Sequence, residues 1–142
     1  MEKYDIDFLG YRLDTDVSTL PTFSGIYIVY RCIYSSIMKI VDIKELLYIG
    51  QATNIHDRLS NHEKKPSWEK RCSQDEVLCY AYANIAINDL DVVENGLIFM
   101  QKPIMNTDLC NDYIHPIPVA FEVTGKCANF FQTSFSIVGK TK

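Results

Sequence analysis

No run of eighteen apolar residues occurs in the chain, and no basic stretch leads into an apolar one at its start. Neither a membrane span nor a secretory signal is therefore expected. The five cysteines, at 32, 72, 79, 110 and 127, show no CxxC or Cys/His metal spacing. They read as small hydrophobes in a reducing, cytoplasmic compartment rather than as a disulfide framework. Internal repeats, low-complexity tracts and linkers are missing as well. So is any surplus of positive charge: 14 Lys and Arg stand against 18 Asp and Glu, a net −4. That balance argues mildly against nucleic-acid binding, because duplex affinity comes largely from cationic contacts with phosphates.

What is present fits one globular domain. The 142 residues are 47% hydrophobic and 23% charged, enough for a single core and too few for two comfortable ones. The chain is organised around the stretch Tyr48 to His62, YIGQATNIHDRLSNH. It begins as the end of a strand, breaks at Gly50 and opens a helix predicted over 54–64, with Thr53 or Asn54 as its N-cap. Asp57 suits the positive end of that helix. Ile55 and Leu59 form an apolar stripe, while Arg58 and His62, also four apart, share another face. A guanidinium and an imidazole beside a tyrosine make a plausible site for a phosphate-bearing substrate.

Elsewhere, residues 1–22 read as an N-terminal arm in which Tyr4, Ile6 and Phe8 alternate, as a short strand or a docked arm would. Residues 26–34 are dense in β-branched and aromatic types and predict a strand with Tyr27 and Val29 on one face and Ile26, Ile28 and Tyr30 on the other. Residues 35–44 predict a long, irregular hairpin connection to the strand at 45–49, either a substrate-contacting or dimer-contacting loop or a solvent-exposed tip. Pro66 starts a short helix through Cys72, residues 77–85 form a third strand, and Asn88 or Asp89 caps a helix to about Met100. Past Pro103 and Asn106, the segments 119–124 and 129–138 predict an added C-terminal hairpin.

Gly25-Ile26-Tyr27 and Tyr48-Ile49-Gly50, followed by Arg58, by Glu94 in a later helix and by Asn106 after a proline-containing turn, resemble the GIY-YIG nuclease family. The resemblance spans about residues 23–107. It implies an α+β fold with a small antiparallel sheet of about three core strands flanked by helices, the arm 1–22 and the extension 108–142 being additions. It also implies a metal-dependent endonuclease that hydrolyses DNA phosphodiester bonds. Gln51 stands where excision-repair members carry lysine, so the likeness leans toward the homing or restriction members.

The resemblance assigns candidate roles residue by residue. Glu94 would hold a divalent ion, Mg²⁺ or alternatively Mn²⁺, which favours oxygen ligands; without the motif series it reads as a surface glutamate. Arg58 would stabilise charge on the phosphoryl group, against the simpler reading of a surface salt bridge in the neighbourhood of Asp57 or with Glu63. Tyr27 would orient or deprotonate the water and Tyr48 would bind phosphate or support that network, although paired tyrosines in a sheet are ordinarily core and edge aromatics. His62 would accept a proton from the Tyr27 network, giving a rate that rises at about pH 6–7. Asn106 would steady this end of the structure. Lys64, Lys65, Lys70 and Arg71 lie in a stretch, His56 to Arg71, that holds five Lys or Arg against three acids. They are the candidate DNA contacts, with a homodimer or a protein partner as a source of further affinity. A non-cleaving DNA-binding or protein-interaction module on the same fold is the alternative.

Overall fold

The computed structural model describes residues 1–127 and 131–139. Six strands are present: β1 (Glu2–Leu13), β2 (Gly25–Ser35), β3 (Ile40–Ala52), β4 (Val77–Asn84), β5 (Val119–Gly125) and β6 (Ser134–Ile137). The helices are short: α1 (Ile55–Ser60), α2 (Lys65–Arg71) and α3 (Leu90–Gln101), with 3-10 turns at Asp14–Thr19 and Ile87–Asp89. All six strands form one sheet in the order β3-β2-β4-β1-β5-β6. The expected fold, a three-stranded core flanked by helices, is corrected by this sheet. Antiparallel β3, β2 and β4 are present but make only half of a mixed, curled six-stranded sheet with few helices.

The strand β1 accounts for the difference. Its first half, Glu2 to Phe8, pairs in parallel with β5, and its second half, Leu9 to Leu13, pairs antiparallel with β4. The N-terminal residues are therefore no peripheral arm; they join the two halves of the sheet. Just past the changeover comes a register shift between Gly10 and Arg12, where an extra residue bends a strand and increases its twist. Gly10 has φ +144°, and a Cβ there would stand 2.9 Å from the Tyr80 carbonyl oxygen, so glycine suits this bend. The C-terminal pair β5 and β6 likewise extends the sheet rather than capping an edge. Part of the segment expected to form the second arm of that hairpin, residues 129 and 130, lies outside the described residues.

Side-chain alternation divides the core between the two faces of the sheet. Ile26, Ile28 and Tyr30 of β2 face a cluster with Ile6, Phe8 and Phe121, covered by Leu90, Val93, Leu97 and Ile98 of α3. Tyr27 and Val29 face the opposite cluster, covered by Ile55 and Leu59 of α1 and Trp68 of α2. The region 35–44, expected as an irregular connection, is mostly strand: pairing continues to Ser35 and Ile40, leaving a tight turn over 36–39.

Phe8 tests the place of β1. It is 1% exposed and meets Phe131 edge-on, with ring centroids 6.2 Å apart. Truncating a buried phenylalanine costs about 3–5 kcal/mol, whereas a peripheral arm would lose under about 1 kcal/mol. Urea unfolding of Phe8→Ala is expected to show the larger loss; the smaller would mean that the first strand lies outside the cooperative core.

Candidate functional site

The site lies where β3, the edge strand, runs into α1. Gly50 pairs with Tyr27 on β2, and the Tyr27 ring lies directly over it. A Cβ on Gly50 would meet the Tyr27 hydroxyl oxygen at 2.3 Å and the ring carbon bearing it at 2.4 Å. Only a residue without a side chain lets this phenol cross β3 toward the sheet edge. There Tyr27 Oη lies 2.8 Å from His62 Nε2, and the Tyr27 and Tyr48 rings stack at 6.3 Å.

His62 reaches the phenol by a route other than helical spacing. Asn54 caps α1, its side chain accepting from the Asp57 amide at 3.0 Å, but the helix ends at Ser60, and Asn61 already has non-helical angles. Arg58 and His62 are thus not neighbours on one helix face. His62 instead lies in the turn before α2, its side chain fully buried and packed 4.4 Å from Trp68 between ring centroids. The Lys64 backbone N–H donates to His62 Nδ1 at 3.0 Å. With Nδ1 accepting, the proton of the neutral ring belongs on Nε2, which donates to Tyr27 Oη. The ring is therefore a donor to Tyr27, not the expected acceptor of its proton. Burial first, and the nearby Arg58 charge second, push its pKa down to about 4, below the expected pH 6–7 window.

Arg58 and Glu94 complete the group. Burial raises the Tyr27 pKa, and the charge of Tyr48 adds to the rise; Arg58 opposes it by its charge and by a hydrogen bond, while Glu94 reinforces it. Tyr48 is raised likewise by burial and Glu94, with Arg58 opposing. Arg58 and Glu94 therefore act on the same pair of phenols, although α1 and α3 cover opposite faces of the sheet. Gln51 links the two sides. Its side-chain nitrogen donates to Glu94 Oε1 at 3.0 Å and to Asp91 Oδ1 at 2.8 Å. Burial raises the Glu94 pKa, and the Gln51 hydrogen bonds oppose it. The Arg58 fork is engaged by Glu63 through contacts of 2.5 and 2.9 Å, so a phosphate would have to compete with that carboxylate. The pair is largely exposed, and such pairs contribute little.

Asn106 has a structural part. Its side-chain oxygen accepts from the Ile49 amide and its nitrogen donates to the Ile49 carbonyl, both at 3.0 Å, while Met105 N donates to Leu47 O at 2.9 Å. The segment after α3 thus covers the open edge of β3 next to Gly50. Of the four candidate DNA contacts, Lys65 donates to Leu59 O at 2.7 Å and pairs with Asp14 at 2.8 Å. Arg71 grips Glu45 at 2.8 and 2.9 Å. Lys70 is exposed, and Lys64 lies over the Tyr48 ring at 5.9 Å.

Spacing along the chain gave no sign of Gln51 as the support of Glu94, nor of the Lys64 amide as the group that sets the histidine tautomer. The only legible hint was Asp91, three residues before Glu94 and hence on its helix face. For a divalent ion, the carboxylate of Glu94, half-buried and held by an amide, is a hard oxygen donor of the kind Mg²⁺ takes. Among the described residues no group of three or more His, Cys, Asp or Glu is placed to hold a metal, so Glu94 would be joined by water and substrate oxygens. The chain matches no protein-family model, no curated protein and no solved structure.

The buried histidine makes a stability test. Its folded pKa lies below its unfolded value, so folding favours the neutral ring. That contribution is complete above about pH 6.5 and is lost as pH falls toward about 4. Between pH 7.5 and 4.5 the loss is about 2–3 kcal/mol. His62→Gln keeps a donor for Tyr27 but does not titrate. Unfolding free energies at the two pH values are expected to fall further for the parent than for His62→Gln by roughly that amount; equal losses would mean that the imidazole is charged, or free to charge, in the folded protein.

Proposed function

We propose that the chain is a metal-dependent endonuclease that hydrolyses DNA phosphodiester bonds at the β3 edge. The observation that carries this reading is the Tyr27 phenol, held by His62 Nε2 at 2.8 Å, within the electrostatic reach of both Arg58 and Glu94. Phosphodiester hydrolysis needs a positioned water, neutralised phosphoryl charge and help for the leaving oxygen. Those groups supply the parts. The GIY and YIG tripeptides, with Arg58, Glu94 and Asn106 in order, support the same reading, on the homing or restriction side.

In this mechanism His62 positions Tyr27 by donating to its oxygen. The proton of Tyr27 is left to hold the attacking water, and its second lone pair is freed only when Arg58 turns from the phenol to the phosphate. Arg58 exchanges Glu63 for a non-bridging phosphate oxygen and offsets the charge that develops there. Tyr48, stacked on Tyr27 and partly exposed, lies beside Lys64 on the approach to the phosphate. Glu94, held by Gln51, would hold Mg²⁺ or Mn²⁺, which would supply Lewis-acid stabilisation of phosphate oxygens. Buried Tyr27 keeps its proton in the free protein, so its first task is orientation; it becomes a base only where Arg58 favours the phenolate. Asn106 keeps β3 in register under Tyr27 and has no contact with reacting atoms in this scheme.

Single-turnover cleavage of one DNA substrate, with binding measured in parallel without metal, tests the assignment. Glu94→Gln is expected to lose at least roughly 100-fold in rate with binding nearly unchanged. Tyr27→Phe keeps the packing ring but removes the oxygen and should lose at least as much. Parent rates in both variants at low Mg²⁺ would exclude the proposed site.

A further inference from the structure

A second surface lies apart from the β3–α1 site, at the far end of the β2–β3 hairpin. Pairing between β2 and β4 ends at Cys32 and Val77, while β2 and β3 stay paired through Ile33, Tyr34 and Ser35. The end of this hairpin therefore extends beyond the sheet as a two-stranded ribbon. Its turn is ordered by hydrogen bonds from the Lys39 and Met38 amides to the Ser35 carbonyl and hydroxyl oxygens, at 2.7 and 3.1 Å. Yet its tip is apolar and open to solvent: Ile37 is 92% exposed, Met38 68% and Ile40 53%. From Ser35 to Val41 the one charge is the cation of Lys39.

Beside the base of the same ribbon runs a groove of about 540 Å³. Leu13, Tyr34 and Val77 give it an apolar lining, and Asp14, Glu69, Asp75 and Glu76 an acidic one. Asp14 and Glu76 are already paired with Lys65 and Arg31. Glu69 and Asp75 are exposed and carry no ion pair among the described residues. Tyr34 and Val77 are themselves exposed large hydrophobes, so tip and groove together hold five of the twelve such residues described. Single exposed apolar residues need no explanation, but a contiguous set marks a contact surface.

We propose that the β2–β3 ribbon tip docks into this groove on a second copy of the chain, and the second copy's tip into the first. Apolar tip meets apolar lining, and Lys39 meets the unpaired acids Glu69 and Asp75. Knob and groove lie side by side on one molecule, sharing Tyr34, which is the self-complementary arrangement a two-fold contact requires. A nucleic-acid partner fits the surface poorly, because the tip offers one cation and the groove repels phosphate.

Sedimentation velocity on the full chain across micromolar concentrations tests this, with near-ultraviolet circular dichroism to show that each variant is folded. The parent should dimerise reversibly. The double variant Ile37→Asp, Met38→Asp, altered only at an exposed turn, should raise the dimer dissociation constant by at least roughly 10-fold. Lys39→Glu and Asp75→Lys should each weaken the dimer by about 3–10-fold, and the two together in one chain should restore it. A parent that stays monomeric overturns the proposal, as does a folded tip variant that dimerises like the parent. Failure of the charge exchange to restore the dimer overturns the seating in the acidic groove. Loss of DNA binding in a tip variant of a monomeric parent would give the ribbon to DNA instead.

Discussion

The candidate site depends on one close approach, that of the Tyr27 ring over Gly50. A phenol on an inner strand would ordinarily be enclosed by its neighbour's side chains. Because β3 presents a bare Cα at this point, Tyr27 crosses the edge strand and brings its oxygen to His62 on one side and within reach of Glu94 on the other. Burial in that position has two consequences. It raises the phenol's pKa and lowers the imidazole's, so both groups rest neutral and the hydrogen bond between them has a fixed direction. The Lys64 amide sets that direction.

The sheet serves this arrangement by holding its edge still. Tyr27 and its neighbours form the second strand from the edge, braced by β4, while β1 ties β4 to the C-terminal pair. On the outer side Asn106 and Met105 add hydrogen bonds to β3 where another strand would have paired. An edge strand left open invites pairing with other chains; here part of it is covered, and the exposed remainder is the ribbon.

Much of this was legible in the order of residues. Strand parity placed Tyr27 opposite Ile28, Asn54 was a recognisable cap, and Glu94 stood at the margin of an apolar helix face. What failed was the use of local periodicity to fix tertiary partners. Tyr4, Ile6 and Phe8 alternate as a strand should, but nothing in that alternation told of a partner more than a hundred residues away in β5. His62 matched the helical spacing from Arg58 while lying beyond the end of the helix, and reached the site through a turn. Lys65 and Arg71 counted as free cations until the fold brought Asp14 and Glu45 to them. Local chemistry is visible along the chain; long-range pairing of charges and strands is decided by the whole sheet.

On the proposed function, it is the bare Cα of Gly50 that lets Tyr27 take part in hydrolysing DNA. Its most direct test is the rate of cutting of supercoiled plasmid by the parent and by Gly50→Ala, with and without Mg²⁺, alongside unfolding and DNA-binding measurements. A methyl group at this position must displace the phenol, and misplacement of a reacting group by about 1 Å can cost on the order of 100-fold. Metal-dependent cutting by the parent is expected, with a loss of that order in Gly50→Ala and a variant that still folds and binds. A parent that binds DNA without cutting it, or a variant that cuts at the parent's rate, would contradict it.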